Sequence, residues 1–202
     1  MMKKPKLREL GEAIRALIGG PYTTKFPYAP SPAAKRFRGI MVFHEDKCIG
    51  CGACVEVCPA DARELIDDVE KKIRKLTHLQ EKCIYCGQCA TYCRWEALEH
   101  TQEYDLAQLN KEGYTNYIEK ELVTCELCGE VITTKDQLLW IAKKVGELTY
   151  SNPTLTLILT KELGIAEKIP ERGEFGPYRS DHLRLLCPKC RRSVYLNEIW
   201  GY

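Results

Sequence analysis

Two stretches of this chain carry cysteines at one repeated spacing: CIGCGACVEVCP at Cys48–Pro59 and CIYCGQCATYC at Cys83–Cys93. Each run separates its four cysteines by two, two and three residues, and the second repeats the first at an offset of 35. That spacing leaves few folds open. Three thiolates on one tight loop can cap three corners of a cubane iron–sulfur cluster, and the fourth corner needs a thiolate from elsewhere. Gly50, Gly52 and Gly87 let the backbone wrap close to such a cluster and aim amide N–H groups at its sulfurs. Structural zinc is the competing use of paired cysteines. Zinc knuckles, however, combine one two-residue spacing with a distant partner, whereas here two such spacings run in succession. The chemistry expected is one-electron transfer, not transformation of a substrate. No Ser/His/Asp set, phosphate-cradling glycine loop, flavin motif or paired-carboxylate arrangement stands out, so no catalytic residue is assigned.

The two runs resemble those of bacterial-type ferredoxins, which hold two 4Fe-4S clusters and send the fourth cysteine of each run to the other run's cluster. That resemblance assigns Cys48, Cys51, Cys54 and Cys93 to one cluster, and Cys83, Cys86, Cys89 and Cys58 to the other. Pro59 follows its crossing cysteine as the motif has it, but Arg94 stands in place of the second proline. A guanidinium beside an anionic cluster favours its reduced state and raises its potential.

Four cysteines remain, in CELCGE at Cys125–Glu130 and CPKCRR at Cys187–Arg192, with 58 residues between the knuckles. Cys125, Cys128, Cys187 and Cys190 suit one tetrahedral four-thiolate site of zinc-ribbon style. The long gap is tolerable because loop-closure entropy rises only logarithmically with length. A redox-inert Zn²⁺ there would clamp the C-terminal unit; a rubredoxin-like iron is the alternative. The histidines are weaker signals. His44 and His78 flank the cysteine runs and could tune a cluster, His100 has no partner pattern, and His182 lies five residues before Cys187. Trp95, Trp140 and Trp200 read as core or interface residues.

Twelve cysteines in 202 residues raise the question of disulfides. The N-terminal MMKKPKLREL lacks the apolar region of a secretory signal, and secreted scaffolds are not stapled through paired runs of this kind. LTLILT at Leu155–Thr160 is far short of the roughly 20 apolar residues of a membrane span. A reduced, intracellular chain that does not itself cross a membrane is expected. Its net charge of +2 hides an asymmetry. Residues 1–40 carry nine basic and two acidic side chains, a balance of +7, which leaves −5 for the rest. With no nucleic-acid-binding motif, a membrane surface or a partner subunit is the expected counterpart.

Leu7, Leu10, Ile14, Leu17 and Ile18 recur at helical spacing until Gly19, Gly20 and Pro21 stop the pattern. Pro21, Pro27, Pro30 and Pro32 then make an extended connector. Residues 1–38 are read as a basic amphipathic helix and docking arm, 39–121 as the two-cluster module, and 122–202 as the four-cysteine unit with a helical insertion. Within the module, GIMVF (residues 39–43), RELI and IRKLTHL read as strands, the last two joined by a DDVEKK turn, although a helix would also fit between the cysteine runs. WEALEHTQEYDLAQLNKEGY reads as a helical turn followed by an extended, surface-running segment. Thr134 and Gln137 resemble a capping box before the apolar stripe of Leu138, Ile141, Ala142, Val145 and Leu148. Asn152, Pro153 and Gly164 bracket a second helix, although its threonines and Ile158 favour a strand. Residues 165–182 read as an ordered loop or arm.

The segment RFRGIMVFHEDKCIGCGACVEVCPADA, the second cysteine run and EYDLAQLNKE together resemble the two-cluster ferredoxin-like subunit of respiratory complex I over residues 1 to about 117. In that family a basic amphipathic helix lies against the membrane arm. The CxxCG and CPxCRR knuckles depart from that subunit. They resemble the corresponding subunit of formate hydrogenlyase and related membrane-bound NiFe hydrogenases. The expected fold is therefore α+β: a bacterial-type two-4Fe-4S ferredoxin module with an N-terminal amphipathic helix and a C-terminal four-cysteine metal-ribbon unit. The resemblance implies a non-catalytic electron-relay subunit on the cytoplasmic side of the cell membrane. It would be held peripherally among other subunits, including a small Fe-S subunit, and would not bind nucleic acid. A complex I-type quinone- or coenzyme-linked dehydrogenase subunit and a free-standing soluble ferredoxin are the alternatives.

Overall fold

The computed structural model describes residues 6–110, 113–165 and 183–200, with side chains through residue 196. The arm expected at 165–182, His182 within it, and the indole of Trp200 lie outside that description, apart from Ile165 at the arm's start. The chain divides into two units, Met1–Phe37 and Arg38–Tyr202.

The first unit contains α1, Leu7–Gly19. Glu9 sets its start by accepting the Lys6 backbone N–H at 3.0 Å, and Gly20 at φ 73° ends it, returning its N–H to the Ala16 carbonyl. No residue of α1 is buried; Leu7, Leu17 and Ile18 are more than four-fifths exposed. The proline-rich segment that follows has no regular secondary structure and includes a cis Phe26–Pro27 bond.

The second unit is built on the cysteine repeat. Strand β1 (Met41–Phe43) pairs antiparallel with β4 (Leu98–His100), and β2 (Arg63–Asp68) pairs antiparallel with β3 (Ile73–Leu79). The short helices α2 (Ala53–Glu56) and α3 (Gln88–Thr91) each follow a glycine in the left-handed region, Gly52 and Gly87. Asp61 and Glu96 repeat the same positive φ at 47° and 50°. Elements and special residues thus recur at the spacing of the cysteines. WEALEH is the correction here: its second half is a strand, not a helical turn. Ala97 and Leu98 are buried while Glu99 faces solvent, and β1 supplies the backbone partners.

Strand β5 (Thr115–Thr124) was not expected. It pairs along the whole of β3, from Ile73↔Glu121 to Leu79↔Thr115, and on its other side pairs with β6 (Val131–Thr134), giving the sheet order β2-β3-β5-β6. The division expected between residues 121 and 122 falls inside β5, and one continuous sheet serves both parts.

Helix α4 (Lys135–Val145) is capped by Thr134, whose side-chain oxygen accepts the Gln137 N–H. Gln137 bonds Thr133 instead of completing a reciprocal box. Helix α5 (Pro153–Glu162) has Asn152 as its cap and Pro153 in its first turn. Its threonines do not force a strand, because Thr156 and Thr160 bond carbonyls of Asn152 and Leu157 one turn back. Val123, Leu138, Ala142, Leu155, Ile158 and Leu185 form the core beneath these helices. Helix α6 (Pro188–Trp200) follows the second knuckle. The expected ribbon is therefore half formed: the first knuckle is the β5–β6 turn, and the second is the entry to a helix.

Candidate metal centres

The turn after each run's first cysteine points backbone donors at sulfur. The Gly50 N–H reaches Cys48 Sγ at 3.4 Å, and the Tyr85 N–H reaches Cys83 Sγ at 3.4 Å. Further along, the Ala62 N–H reaches Cys58 Sγ and the Ala97 N–H reaches Cys93 Sγ, both at 3.3 Å. The second copy achieves with Tyr85 at φ 54° what the first achieves with Gly50 at φ 71°. These bonds stabilise thiolate over thiol, which a metal ligand requires.

Two cavities separate the eight cysteines into the sets expected from crossed ligation. One is lined by Cys48, Cys51, Cys54 and Cys93, the other by Cys58, Cys83, Cys86 and Cys89. Each set takes three residues from one loop and one from the other run. Their surroundings differ. Phe43, Ile49, Leu76, Trp95 and Leu98 enclose the first, whereas Arg63, His78 and His100 share the second. Burial pushes the Cys54 thiol up to about 11 against the pull of Arg63, and raises Cys48 and Cys83 as well. Metal uptake must displace protons from these groups.

Among the cations and histidines read from the sequence, Arg94 is exposed. Arg63 beside the second cavity is buried, 4% exposed, and neither its charge nor its place was flagged by any motif. His44 pairs with Glu99 at 3.0 Å on the surface. His78 is buried, with ring nitrogens facing the Ala62 carbonyl and the Gln80 side chain, and burial lowers it to about 4. Trp95 packs edge-on to Trp140 at 5.4 Å, joining the first cavity's wall to α4.

The C-terminal part grips the first cysteine loop directly. Thr134 is fully buried and donates its hydroxyl to the Ile49 carbonyl. A Cβ on Gly50 would come within 2.7 Å of the Thr134 methyl, so the close approach requires glycine there. Lys120 bridges the Glu45 carbonyl and Asp136, while Arg74, paired with Asp67, donates to the Gly50 carbonyl.

The remaining cysteines converge. The Sγ atoms of Cys125, Cys128, Cys187 and Cys190 lie within 4.8 Å of one another, with Cys128 and Cys187 3.7 Å apart. Thiolates about 2.3 Å from a tetrahedral ion stand roughly 3.8 Å apart, so the four fit one such ion. Burial raises Cys125, but backbone N–H groups of Cys187, Cys128 and Leu127 outweigh it and bring the thiol down to about 7. Burial and the neighbouring thiols push Cys190 up. Leu186 and Val194 pack around the site, with Leu127 and Ile132 at its edge. Among the described residues, no helix is long and apolar enough to cross a membrane.

Part of the chain is similar in sequence to known proteins. NAD(P)H-quinone oxidoreductase subunit I of chloroplasts from Dioscorea elephantipes is 47% identical over 55 residues, 27% of this chain and 31% of that protein. Its counterpart from Morus indica is also 47% identical over 55 residues, covering 33% of its length. The chain thus matches about a third of the length of these relatives. A chain of the membrane-bound sulfane sulfur reductase, an archaeal respiratory membrane complex, aligns over 56% of this chain and 62% of its own, with 28% identity and a TM-score of 0.39. All eight cysteines of the two runs fall within residues 47–97, the stretch that matches the family model of the 4Fe-4S dicluster domain.

Proposed function

We propose that this chain is an electron-relay subunit of a complex I-related membrane complex, passing single electrons through two 4Fe-4S clusters. The observation that carries the reading is the pair of four-cysteine cavities, each completed by the other run's last cysteine, inside a stretch matching the 4Fe-4S dicluster domain. Cys48, Cys51, Cys54 and Cys93 would hold one cluster, and Cys83, Cys86, Cys89 and Cys58 the other. When bound, each cluster supplies a reversible one-electron couple. The protein's share is insulation and tuning. Phe43, Leu76, Trp95 and Leu98 keep water from the first set, and the N–H groups at Gly50, Ala62, Tyr85 and Ala97 offset negative charge on sulfur.

The four-cysteine centre is proposed to hold a structural Zn²⁺ that locks the β5–β6 turn to the start of α6. Its four sulfurs are spaced for one tetrahedral ion, as a rubredoxin-like iron would also require. The partners proposed are the other subunits of the complex, including a small Fe-S subunit. The exposed apolar stripe of α1 and the +7 balance of residues 1–40 suit peripheral docking to the membrane arm from the cytoplasmic side. The finer proposal is a NiFe hydrogenase of the formate hydrogenlyase kind, motivated by the four-cysteine extension. The second reading, a quinone- or coenzyme-linked dehydrogenase, is favoured by the likeness to subunit I of quinone oxidoreductases. Purifying the tagged native chain from solubilised membranes and identifying its companions tests both. A NiFe large subunit supports the first and a quinone-reducing assembly the second. Recovery of a lone soluble chain would refute the relay-subunit proposal.

A further inference from the structure

Arg63 opens β2 directly opposite His78 of β3 and is 4% exposed. Its Nε, Nη1 and Nη2 are all buried, and none has a hydrogen-bond partner among the described residues. The guanidinium carbon stands 4.8 Å from the centre of the Phe43 ring. One face is therefore stacked, which offsets only part of the cost of burying a cation. Arginine cannot escape that cost by losing its proton. An anion seated beside these donors would offset that cost most fully.

The surroundings name one. Arg63 lines the cavity of Cys58, Cys83, Cys86 and Cys89, and no acidic side chain lines that cavity with it. The flanking acids Asp61 and Glu64 are exposed. Of the other basic groups nearby, Arg38 donates to the Cys86 carbonyl and both nitrogens of His78 are used, while His100 Nδ1 meets the Gly39 carbonyl and its buried Nε2, a single nitrogen, has no partner among the described residues. The Cys48, Cys51, Cys54 and Cys93 cavity has Phe43 in its wall and no charged lining residue.

Building on the two-cluster reading, we infer that Arg63 donates its N–H groups to the sulfurs of the cluster held by Cys58, Cys83, Cys86 and Cys89, and that its fixed charge makes this cluster the higher-potential of the two. A donor's first electron then resides on the second set, because Arg63 lines that cavity and faces its sulfurs, while its charge reaches the first set only from behind the Phe43 ring, where it also acts on Cys54. Arg63 is a positioning and tuning residue; it takes no part in making or breaking bonds.

The test uses the full chain, reconstituted anaerobically and titrated with Ti(III) citrate. Electron paramagnetic resonance gives the potentials, and paramagnetically shifted cysteine β-proton resonances assign the electron in half-reduced protein. In the wild type the half-reduced signals should belong to the set with Cys83, Cys86 and Cys89. Arg63→Gln should shift that cluster's equilibrium tenfold or more toward oxidised, about 59 mV for a one-electron couple. It should move the other cluster less. Arg63→Lys should keep most of the wild-type value, and Arg94→Gln, at an exposed site, should move neither cluster by more than threefold. Selective loss of the second cluster in Arg63→Gln, with retention in Arg63→Lys, equally supports the required charge. A fully loaded Arg63→Gln protein with shifts under twofold, or with the larger shift on the Cys48 set, overturns the inference and leaves the functional reading standing. A wild-type chain that takes up no cubane overturns both.

Discussion

Removing the Thr134 hydroxyl should weaken the first cysteine loop from a distance of 85 residues in sequence. This side chain is completely buried; it donates to the Ile49 carbonyl and accepts the Gln137 N–H that starts α4. Thr134→Val keeps the shape and the methyl that lies against Gly50, and deletes both hydrogen bonds. Leaving a buried carbonyl without its donor costs about 1–3 kcal/mol. Losing a helix cap adds about 1 kcal/mol. A total of about 2–4 kcal/mol corresponds to a fall of roughly 4–16 °C in Tm for a domain of this size. Thr134→Ser keeps the hydroxyl and loses one methyl, about 1 kcal/mol or roughly 2–4 °C. Anaerobic thermal scans of reconstituted protein should therefore rank wild type above serine and serine above valine. Chelator challenge should strip the Cys48-set cluster first in the valine variant. Equal melting of the serine and valine variants would refute the argument, as would symmetric cluster loss.

Three further outcomes follow from the same geometry. Cys58→Ala should disturb the spectrum of the Cys83 cluster more than that of its own run, measured by paramagnetic resonance; loss confined to the Cys48 cluster would contradict the crossed sets. The whole chain should bind one zinc that Cys187→Ser abolishes without moving either cubane's potential. Because Cys190 is raised and Cys125 sits near 7, zinc binding should release protons and strengthen with rising pH, as calorimetry in buffers of different ionisation enthalpy would show; a red, reducible iron there would contradict it. Deleting residues 1–20 should leave both clusters intact and free the protein from membranes, with high salt releasing part of the intact chain; full co-purification of the truncated chain would make α1 a mere tail.

Spacing alone put three thiolates on each tight loop; which cysteine crosses between the runs came from the resemblance to bacterial-type ferredoxins, and the two cavity linings group the residues in the same way. The caps at Thr134 and Asn152 were legible locally, since a hydroxyl or amide just before an apolar stripe satisfies amides within one turn. What the sequence concealed is non-local. Residues 115–124 do not alternate cleanly between apolar and polar; β5 is a strand because both β3 and β6 offer it backbone partners. The sheet it completes carries the four-cysteine centre onto the cluster module. Helix α6 was hidden behind its knuckle motif, which reads equally as a ribbon. Arg94 drew notice because it replaces an expected proline, yet it points to solvent. Arg63, in an ordinary strand segment, occupies the buried site, and only the fold reveals its neighbours.

The central claim is that this chain is a two-cluster wire. Iron, sulfide and redox analysis of anaerobically reconstituted full-length protein tests it most directly. The account predicts roughly eight iron and eight sulfide per chain in two low-potential one-electron couples, with magnetic interaction between the two reduced clusters in the resonance spectrum. About four iron with a single couple, or zinc in the two cysteine runs with no redox activity, would contradict it.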